Sequence, residues 1–191
     1  RQHMAIAHLL AADRVDVARQ HGVARPAGLE EAIHTARALA DERPSMVWLG
    51  FDARNAFTEM DRSAILTAVE EVVPELSQYA RFVLDRVSRY WFQLDNGAWV
   101  DLFAAEGPDQ GAPLSPALFC AGLRRALGRA EARLKAAAGQ FGANPAEVCL
   151  LAYIDDVLLG VPPSMVTLAC DVFGEELGTV GLQLAQDKTE A

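Results

Sequence analysis

Apolar side chains recur at intervals of three and four positions in several segments of the chain, which is the spacing of one buried face of an α-helix. Residues 26–43 show this spacing and predict a helix that begins after Pro26. Asp61 is expected to cap a second helix that ends near Pro74, and Ser115 is expected to cap a long helix. These apolar faces predict packing surfaces and imply no chemistry.

Shorter segments rich in apolar residues predict β-strands. The predicted strands are residues 46–51, 90–94, 98–103, 147–153 and 157–161. The first of them is apolar throughout, which is typical of a strand buried on both faces. Asn96 and Gly97 lie between the second and third strands and predict a hairpin, because both residue types tolerate positive φ.

The predicted elements follow one another as helix, strand, two helices, hairpin, helix, hairpin and helix. This order predicts an α+β fold in which an antiparallel sheet carries helices on one face. A doubly wound nucleotide-binding fold is disfavoured, because strict alternation of strands and helices and a glycine-rich phosphate loop are both absent from the sequence.

The composition is that of one folded domain with an acidic balance. Hydrophobic residues make up 51% of the 191 positions, which argues against disorder. The 17 Lys and Arg residues are outnumbered by 26 Asp and Glu residues, so the net charge is −9. Such a charge disfavours bulk binding to a phosphate backbone, which needs clustered cations.

The sequence predicts an intracellular protein that is neither secreted nor inserted in a membrane. No apolar run approaches the ~20 residues that a membrane-spanning helix needs, and the first residues lack the pattern of a secretory signal. Cys120, Cys149 and Cys170 lie far apart, as expected of reduced, buried thiols. Because the chain begins with Arg1 and not with Met, we expect it to be a fragment.

Three carboxylates occupy positions where a charge is unfavourable. Asp52 follows the most apolar predicted strand, and Asp155 and Asp156 lie at the tip of an apolar hairpin. An ionised carboxylate in such surroundings is destabilising unless a positive charge compensates, and a pair of Mg²⁺ ions would do so. A second interpretation stays open, in which Asp155 and Asp156 are ordinary turn residues. A calcium or phosphatase-like site is disfavoured, since neither EF-hand spacing nor a nucleophile motif is present.

Four strings of residues around these acids occur in a fixed order. They are Phe-Asp-Ala-Arg-Asn-Ala-Phe at 51–57, Gln-Gly-Ala-Pro-Leu-Ser-Pro-Ala-Leu-Phe at 110–119, Tyr-Ile-Asp-Asp at 153–156, and Gly-Leu-Gln-Leu at 181–184 followed by Lys188 and Thr189. Together they resemble the motifs of the reverse transcriptase family, chiefly its non-LTR retrotransposon branch. The second string is highly specific, whereas Tyr-x-Asp-Asp alone is weak. With Gln-His-Gly-Val at 20–23, the resemblance extends from about residue 20 to the C-terminus.

The resemblance implies the antiparallel sheet of a polymerase palm, with helices packed on one face, over residues 46–191. Residues 1–45 would then be a partial, helical segment of the fingers, and the thumb would be absent. Group II intron and retron reverse transcriptases are alternatives within the family. A truncated and catalytically inactive retroelement remnant is an alternative of a different class.

The resemblance also implies an activity, RNA-directed DNA polymerisation, in which a primer 3′-hydroxyl attacks the α-phosphate of a dNTP at a two-metal site. Mg²⁺ is the expected cofactor, with Mn²⁺ as a substitute. An RNA template, a DNA primer and dNTPs are the expected partners. Because the cations of the fingers and thumb would lie outside the chain, we expect the isolated fragment to bind primer-template weakly and to polymerise poorly.

The resemblance assigns catalytic and metal-binding roles to five residues. Asp52 and Asp155 would bridge both metals, and Asp156 would be the third carboxylate of the metal site. The backbone carbonyl of Ala53 would reach the second metal. Lys188 would contact the β- and γ-phosphates and would protonate pyrophosphate as a general acid.

The nucleotide site implied by the resemblance contains Phe57, Gln110, Gly111 and Tyr153. Phe57 would lie beneath the incoming sugar and exclude a 2′-hydroxyl, which favours DNA over RNA synthesis; its alternative role is that of a core aromatic. Gln110 and Gly111 would approach the nucleotide and the template. Asp109 stands where many relatives carry Arg or Lys, so we expect weaker phosphate contacts at this position.

Overall fold

The structure is a computed structural model that describes residues 19–23 and 25–185. Its helices are α1 (Gly28–Glu42), α2 (Ala56–Glu59), α3 (Arg62–Val72), α4 (Ser77–Leu84), α5 (Ser115–Ala137) and α6 (Val166–Gly178). Its strands are β1 (Val47–Phe51), β2 (Ser88–Gln93), β3 (Trp99–Ala104), β4 (Cys149–Tyr153) and β5 (Asp156–Val161). Apart from the short helix α2, this is the order of elements that the apolar pattern predicts.

Three strands form the central antiparallel sheet, in the order β1-β5-β4. Phe51 of β1 and Ala152 of β4 both pair with Val157 of the middle strand β5. These side chains belong to the buried face of the sheet, where the rings of Phe51 and Phe173 stack with their centroids 4.4 Å apart. The mixture of helices and antiparallel sheet confirms the predicted α+β class.

Helix α5 lies at the centre of the helical layer and contacts α3 on one side and α6 on the other. Gly122 of α5 permits a close approach to α3. A Cβ atom at this position would lie 2.7 Å from Met60 Sδ and 3.0 Å from Ile65 Cγ1, which is too close for a side chain without a shift of its neighbours. Helix α1 lies apart from this layer and contacts β4.

Two predicted helix caps have different outcomes. Asp61 is the N-cap residue of α3 and accepts a hydrogen bond from the Ser63 backbone N–H at 2.8 Å, so this prediction is confirmed. Ser115 is not the cap of α5, because Leu114 occupies the N-cap position. The Ser115 hydroxyl donates instead to the carbonyl oxygen of Asp109 at 2.6 Å and closes the loop before the helix.

Strands β2 and β3 form a separate two-stranded hairpin. The predicted hairpin is confirmed, and positive φ is found at only one of the two residues that tolerate it. Gly97 has a φ of +82°, whereas Asn96 is not among the described residues with positive φ. The Gly97 N–H donates to the Leu94 carbonyl and the Leu94 N–H donates to the Ala98 carbonyl, both at 2.8 Å. These bonds indicate a three-residue connection in which only the final glycine needs a left-handed conformation.

A membrane-crossing helix would have to be both long and strongly apolar. None of the helices within 19–23 and 25–185 meets both conditions.

Candidate active site

Strand pairing brings two of the predicted acids together. The register of β1 and β5 pairs Phe51 with Val157, so Asp52 and Asp156 lie side by side one residue further along. The pairing of β4 with β5 sets Tyr153 opposite Asp156, which leaves Asp155 in the turn that joins these strands. Residues more than a hundred positions apart in sequence therefore meet at one end of the sheet.

The acids line two neighbouring cavities. Asp52, Tyr153 and Asp156 line a cavity of about 340 Å³ whose walls also include apolar residues of α1. Asp155 lines a much smaller cavity of about 10 Å³ together with Phe119 of α5 and Phe173 of α6. The sheet end thus presents Asp52 and Asp156 to an open cavity and Asp155 to the edge of the helical layer.

The three carboxylates form a region of concentrated negative charge. Partial burial raises the pKa of Asp156, and repulsion from Asp155 and then from Asp52 raises it further. Deep burial, reinforced by the charge of Asp155, also raises the pKa of the Cys120 thiol. These shifts agree with the strand register in placing Asp52, Asp155 and Asp156 within electrostatic range of one another.

The chemistry of these donors fits a divalent cation. Carboxylate oxygens are the hard ligands that Mg²⁺ prefers, and a bound cation would relieve the repulsion that raises the Asp156 pKa. Among the described residues, however, no three Asp, Glu, His or Cys side chains are gathered into a metal-binding cluster. The donor set therefore fits the metal in kind, while the carboxylates as placed form no complete coordination shell.

The segment after α6 supports the backbone at Asp52. The Arg54 N–H donates to the Gln183 carbonyl at 2.8 Å, and the Ala185 N–H donates to the Asp52 carbonyl at 2.9 Å. Ala53 thereby forms an antiparallel bridge with Leu184. Because this ladder uses the carbonyl of Asp52 and the amide of Arg54, the Ala53 carbonyl lies outside it.

The residues expected at the nucleotide site lie in three places. Tyr153 lines the same cavity as Asp52, whereas Phe57 is half-buried and stacks on Phe119 with their ring centroids 5.1 Å apart. Gln110 lines a separate cavity of about 240 Å³ beside the β2–β3 hairpin. Gly111 follows it in an exposed loop with a φ of +87°. Gln110 and Gly111 line neither of the two cavities at the carboxylates.

Lys188 lies outside the described residues, so its expected role as a general acid stays a prediction.

Asp109 has partners inside the protein. It accepts hydrogen bonds from the hydroxyls of Ser88, at 3.1 Å, and Tyr90, and it lies 3.7 Å from the guanidinium of Arg62. The acid at this position thus connects the loop before α5 to the base of the hairpin. Asp109 therefore has a structural role, and its expected weakening of phosphate contacts stays a prediction.

Two residues of this region have a buried position and a role that the sequence alone does not predict. Arg62 is buried and donates to the carbonyls of Gly107 and Arg86, at 2.8 and 2.5 Å. Gln20 is buried beside the turn that contains Asp155, and its side chain bonds to the backbone of Ile154. A polar residue in a helix or loop normally indicates a solvent-facing position, and no signal in the sequence marks these two as buried.

The chain matches a protein-family model over residues 2–191, and the model is described as Reverse transcriptase (RNA-dependent DNA polymerase). It is also similar to the Retrotransposable element SLACS 132 kDa protein of Trypanosoma brucei gambiense. The two are 29% identical over 165 residues, a match that covers 85% of this chain and 13% of that protein. The chain therefore spans a small part of the length of this curated relative.

Solved telomerase structures share the fold. Telomerase from Candida Tropicalis in complex with a TWJ fragment of telomeric RNA matches with a TM-score of 0.70 at 12% identity, covering 99% of this chain and 32% of that one. Telomerase from Candida albicans with a TWJ fragment of telomeric RNA matches with a TM-score of 0.68 at 14% identity, covering 98% and 34%. The chain spans about a third of each telomerase chain, and at such identities the likeness concerns the fold.

Proposed function

Because this chain belongs to the reverse transcriptase (RNA-dependent DNA polymerase) family, we propose that it forms the palm of a retroelement reverse transcriptase that copies RNA into DNA. The observation that carries the proposal is the register of β1 and β5, which sets Asp52 beside Asp156 at the end of the sheet. Residues 46–191 would be the palm, and residues 1–45 would be part of the fingers. The similarity to the SLACS protein supports an origin in a non-LTR retrotransposon.

The proposed reaction joins a dNTP to the 3′-hydroxyl of a primer paired with an RNA template. Asp52, Asp155 and Asp156 would hold the metal ions, together with the carbonyl of Ala53. When bound, two Mg²⁺ ions, or Mn²⁺ in their place, would lower the pKa of the attacking hydroxyl and stabilise the charge on the leaving pyrophosphate. The chain itself contributes the carboxylates, held in place by backbone pairing on both sides of Asp52.

The other proposed contacts are with the nucleotide and the template. Tyr153 lies in the cavity that Asp52 lines, which suits a contact with the end of the primer or the nucleotide. Phe57 would exclude a 2′-hydroxyl, and its stack on Phe119 would hold the ring in place. Gln110 and Gly111 would approach the template strand from the loop before α5, and Lys188 would protonate pyrophosphate.

The proposed partners are an RNA template, a DNA primer and dNTPs. The telomerase complexes that share this fold contain telomeric RNA, which supports a nucleic-acid role for the same fold here. The net charge of −9 means that this part of the protein supplies few of the cations needed to hold a phosphate backbone. An intracellular location is part of the proposal.

Primer extension tests this function. The full-length protein, supplied with poly(rA), oligo(dT), dTTP and Mg²⁺, is expected to extend the primer, and Asp155→Ala is expected to reduce extension by at least about 100-fold. Asp171→Asn, which removes an exposed carboxylate on α6, is the control and should retain activity. Equal extension by Asp155→Ala would refute the assigned role, and no extension by the unmodified protein would identify an inactive remnant.

A further inference from the structure

The turn between β4 and β5 contains a residue in an unfavourable backbone conformation. Ile154 has a φ of +59°, and it is one of three non-glycine residues with positive φ in the described part of the chain. A β-branched side chain rarely adopts this conformation, because its Cβ substituents crowd the backbone. The turn needs positive φ here because only two residues connect the paired Tyr153 and Asp156. Something outside the turn must therefore stabilise Ile154.

Gln20 supplies this stabilisation from a distant part of the sequence. The Ile154 N–H donates to Gln20 Oε1 at 2.7 Å, and Gln20 Nε2 donates to the Ile154 carbonyl at 3.1 Å. One amide side chain thus satisfies both backbone polar groups of the strained residue. Gln20 is only 2% exposed, so both bonds are shielded from competing water.

The backbone around Gln20 is fixed independently of this side chain. The Ala152 N–H donates to the Arg19 carbonyl at 2.8 Å, and the His21 N–H donates to the Ala152 carbonyl at 2.7 Å. These bonds hold Gln20 in a parallel bridge beside β4. Removing the Gln20 side chain would therefore release the turn while leaving the bonds that attach residues 19–21 to the sheet.

Gly22 completes the contact between this segment and the turn. Its N–H donates to Gln20 Oε1 at 2.9 Å, which orients the amide. A Cβ at Gly22 would lie 2.6 Å from both the backbone nitrogen and the Cγ1 atom of Ile154. Only glycine allows the segment to pass this close to the turn.

We propose that Gln20 is a positioning residue of the candidate active site, which fixes the backbone of Ile154 and thereby the placement of the Asp155 and Asp156 carboxylates for metal binding. The inference rests on the proposed function, since it assumes that these carboxylates bind a metal. Gln20 itself touches neither metal nor substrate. It acts through the peptide groups on either side of Ile154, one of which leads directly into Asp155.

The test measures binding of Mn²⁺ alone to the folded full-length protein, by the loss of the free-ion signal in electron paramagnetic resonance. Gln20→Met keeps the length and burial of the side chain but removes all three hydrogen bonds. We expect it to raise the Kd for Mn²⁺ by about tenfold or more, as is typical when a supporting partner of a metal ligand is lost. The folded fraction of each variant is measured by circular dichroism at the assay temperature.

Arg19→Met is the matched control. Arg19 forms an ion pair with Glu131 of α5, so its removal weakens the attachment of the same segment without touching the Ile154 backbone. The proposal predicts an unchanged Kd for this variant. If Arg19→Met and Gln20→Met raised the Kd equally, Gln20 would merely anchor the segment and the positioning role would be refuted.

Asp155→Asn separates a failure of this inference from a failure of the proposed function. If Asp155→Asn abolishes Mn²⁺ binding and Gln20→Met leaves it unchanged, the positioning role alone is wrong. If Asp155→Asn binds Mn²⁺ like the unmodified protein, the metal site itself is wrong. Where Gln20→Met is unfolded, Gly22→Ala replaces it, because its added methyl displaces Ile154 and leaves the Gln20 amide present. A folded Gly22→Ala protein with an unchanged Kd would overturn the inference.

Discussion

Arg62 is a buried cation whose hydrogen bonds connect three parts of the chain. Its guanidinium donates to the carbonyls of Gly107 and Arg86 and, at 3.0 Å, to the hydroxyl of Ser88. Its neighbour Asp109 supplies the opposite charge. The residue thereby connects α3 to the base of the hairpin and to the loop before α5.

Replacing Arg62 is expected to destabilise the protein strongly. Arg62→Met leaves the buried carbonyl of Gly107 and the carbonyl of Arg86 without their donor and Asp109 without its counter-charge, so we expect a loss of about 2–4 kcal/mol in the free energy of unfolding. Urea denaturation measures the change. Arg81→Met is the control, because Arg81 is exposed and its pair with Glu70 is expected to contribute less than about 1 kcal/mol. Equal effects of the two substitutions would contradict this account of Arg62.

Single residues were predictable where the signal is local. Asp61 is predictable as a cap because a cap depends on the side chain and the two residues that follow it. Ser115 has the same local pattern, but its hydroxyl is engaged by the Asp109 carbonyl, which is a contact of the folded loop. The role of Gln20 is not predictable from its neighbours, because its partner Ile154 lies 134 positions away.

At the scale of elements, helices α5 and α6 are joined by a charged contact at the rim of the core. Glu176 of α6 is largely buried and accepts hydrogen bonds from Arg129 at 2.6 Å and from Arg133 at 2.9 Å. Burial alone would raise the pKa of Glu176, but the hydrogen bonds from Arg133 and Arg129 outweigh it and lower the pKa. The ionised form is therefore favoured by the folded state.

This contact predicts a pH-dependent stability. Because the pKa of Glu176 is lower in the folded than in the unfolded state, its contribution is complete above the unfolded pKa of about 4.3 and is lost as the pH falls through the folded value. We expect Glu176→Gln to reduce the free energy of unfolding by about 1 kcal/mol at pH 7. Urea denaturation at several pH values should show this difference shrinking below about pH 4. A difference that grew at acidic pH would contradict the assignment.

The order of helices and strands was predictable because apolar periodicity is a property of each segment. The pairing of β1 with β5 was not, since the apolar pattern of a strand does not name its partner, and these two strands lie more than a hundred positions apart in sequence. The hairpin turn shows the same limit at short range. Asn-Gly indicated a turn correctly, but the three-residue connection at 95–97 requires positive φ only at Gly97.

At the scale of the whole molecule, the β2–β3 hairpin exposes an aromatic surface. Trp91, Trp99 and Phe103 lie on the same face and are each more than 60% exposed. Arg89 lies over the rings of Trp91 and Phe103, at 5.2 and 5.9 Å from their centroids, and is paired with Asp101. Contiguous exposed apolar surface of this kind favours self-association.

We expect the chain by itself to self-associate through this surface. The double substitution Trp91→Ser and Phe103→Ser should lower the sedimentation coefficient at high protein concentration and leave the melting temperature nearly unchanged, because neither ring belongs to the core. Phe82→Ser, which removes an exposed ring on α4, is the control. Self-association that persisted in the double variant would show that another surface is responsible.

The fold class and the family were predictable for the whole molecule, and the assembly of the site only in part. The motifs around Asp52 and Asp155 identify the reverse transcriptase family, even though the net charge of −9 argues against contact with nucleic acid. The motifs do not predict the position of each carboxylate in the folded site. Asp52 and Asp156 line one cavity and Asp155 lines another, which follows from the β5 register and the turn at Ile154.

We propose that acids from two strand ends bind one metal together. A crystal structure of the protein grown with Mn²⁺, analysed by its anomalous scattering, tests this directly. We expect an anomalous peak within about 2.3 Å of carboxylate oxygens from Asp52 and from the Asp155–Asp156 pair. A structure in which Mn²⁺ binds elsewhere, or in which the Asp52 carboxylate lies farther from that pair than one ion can bridge, would contradict the account.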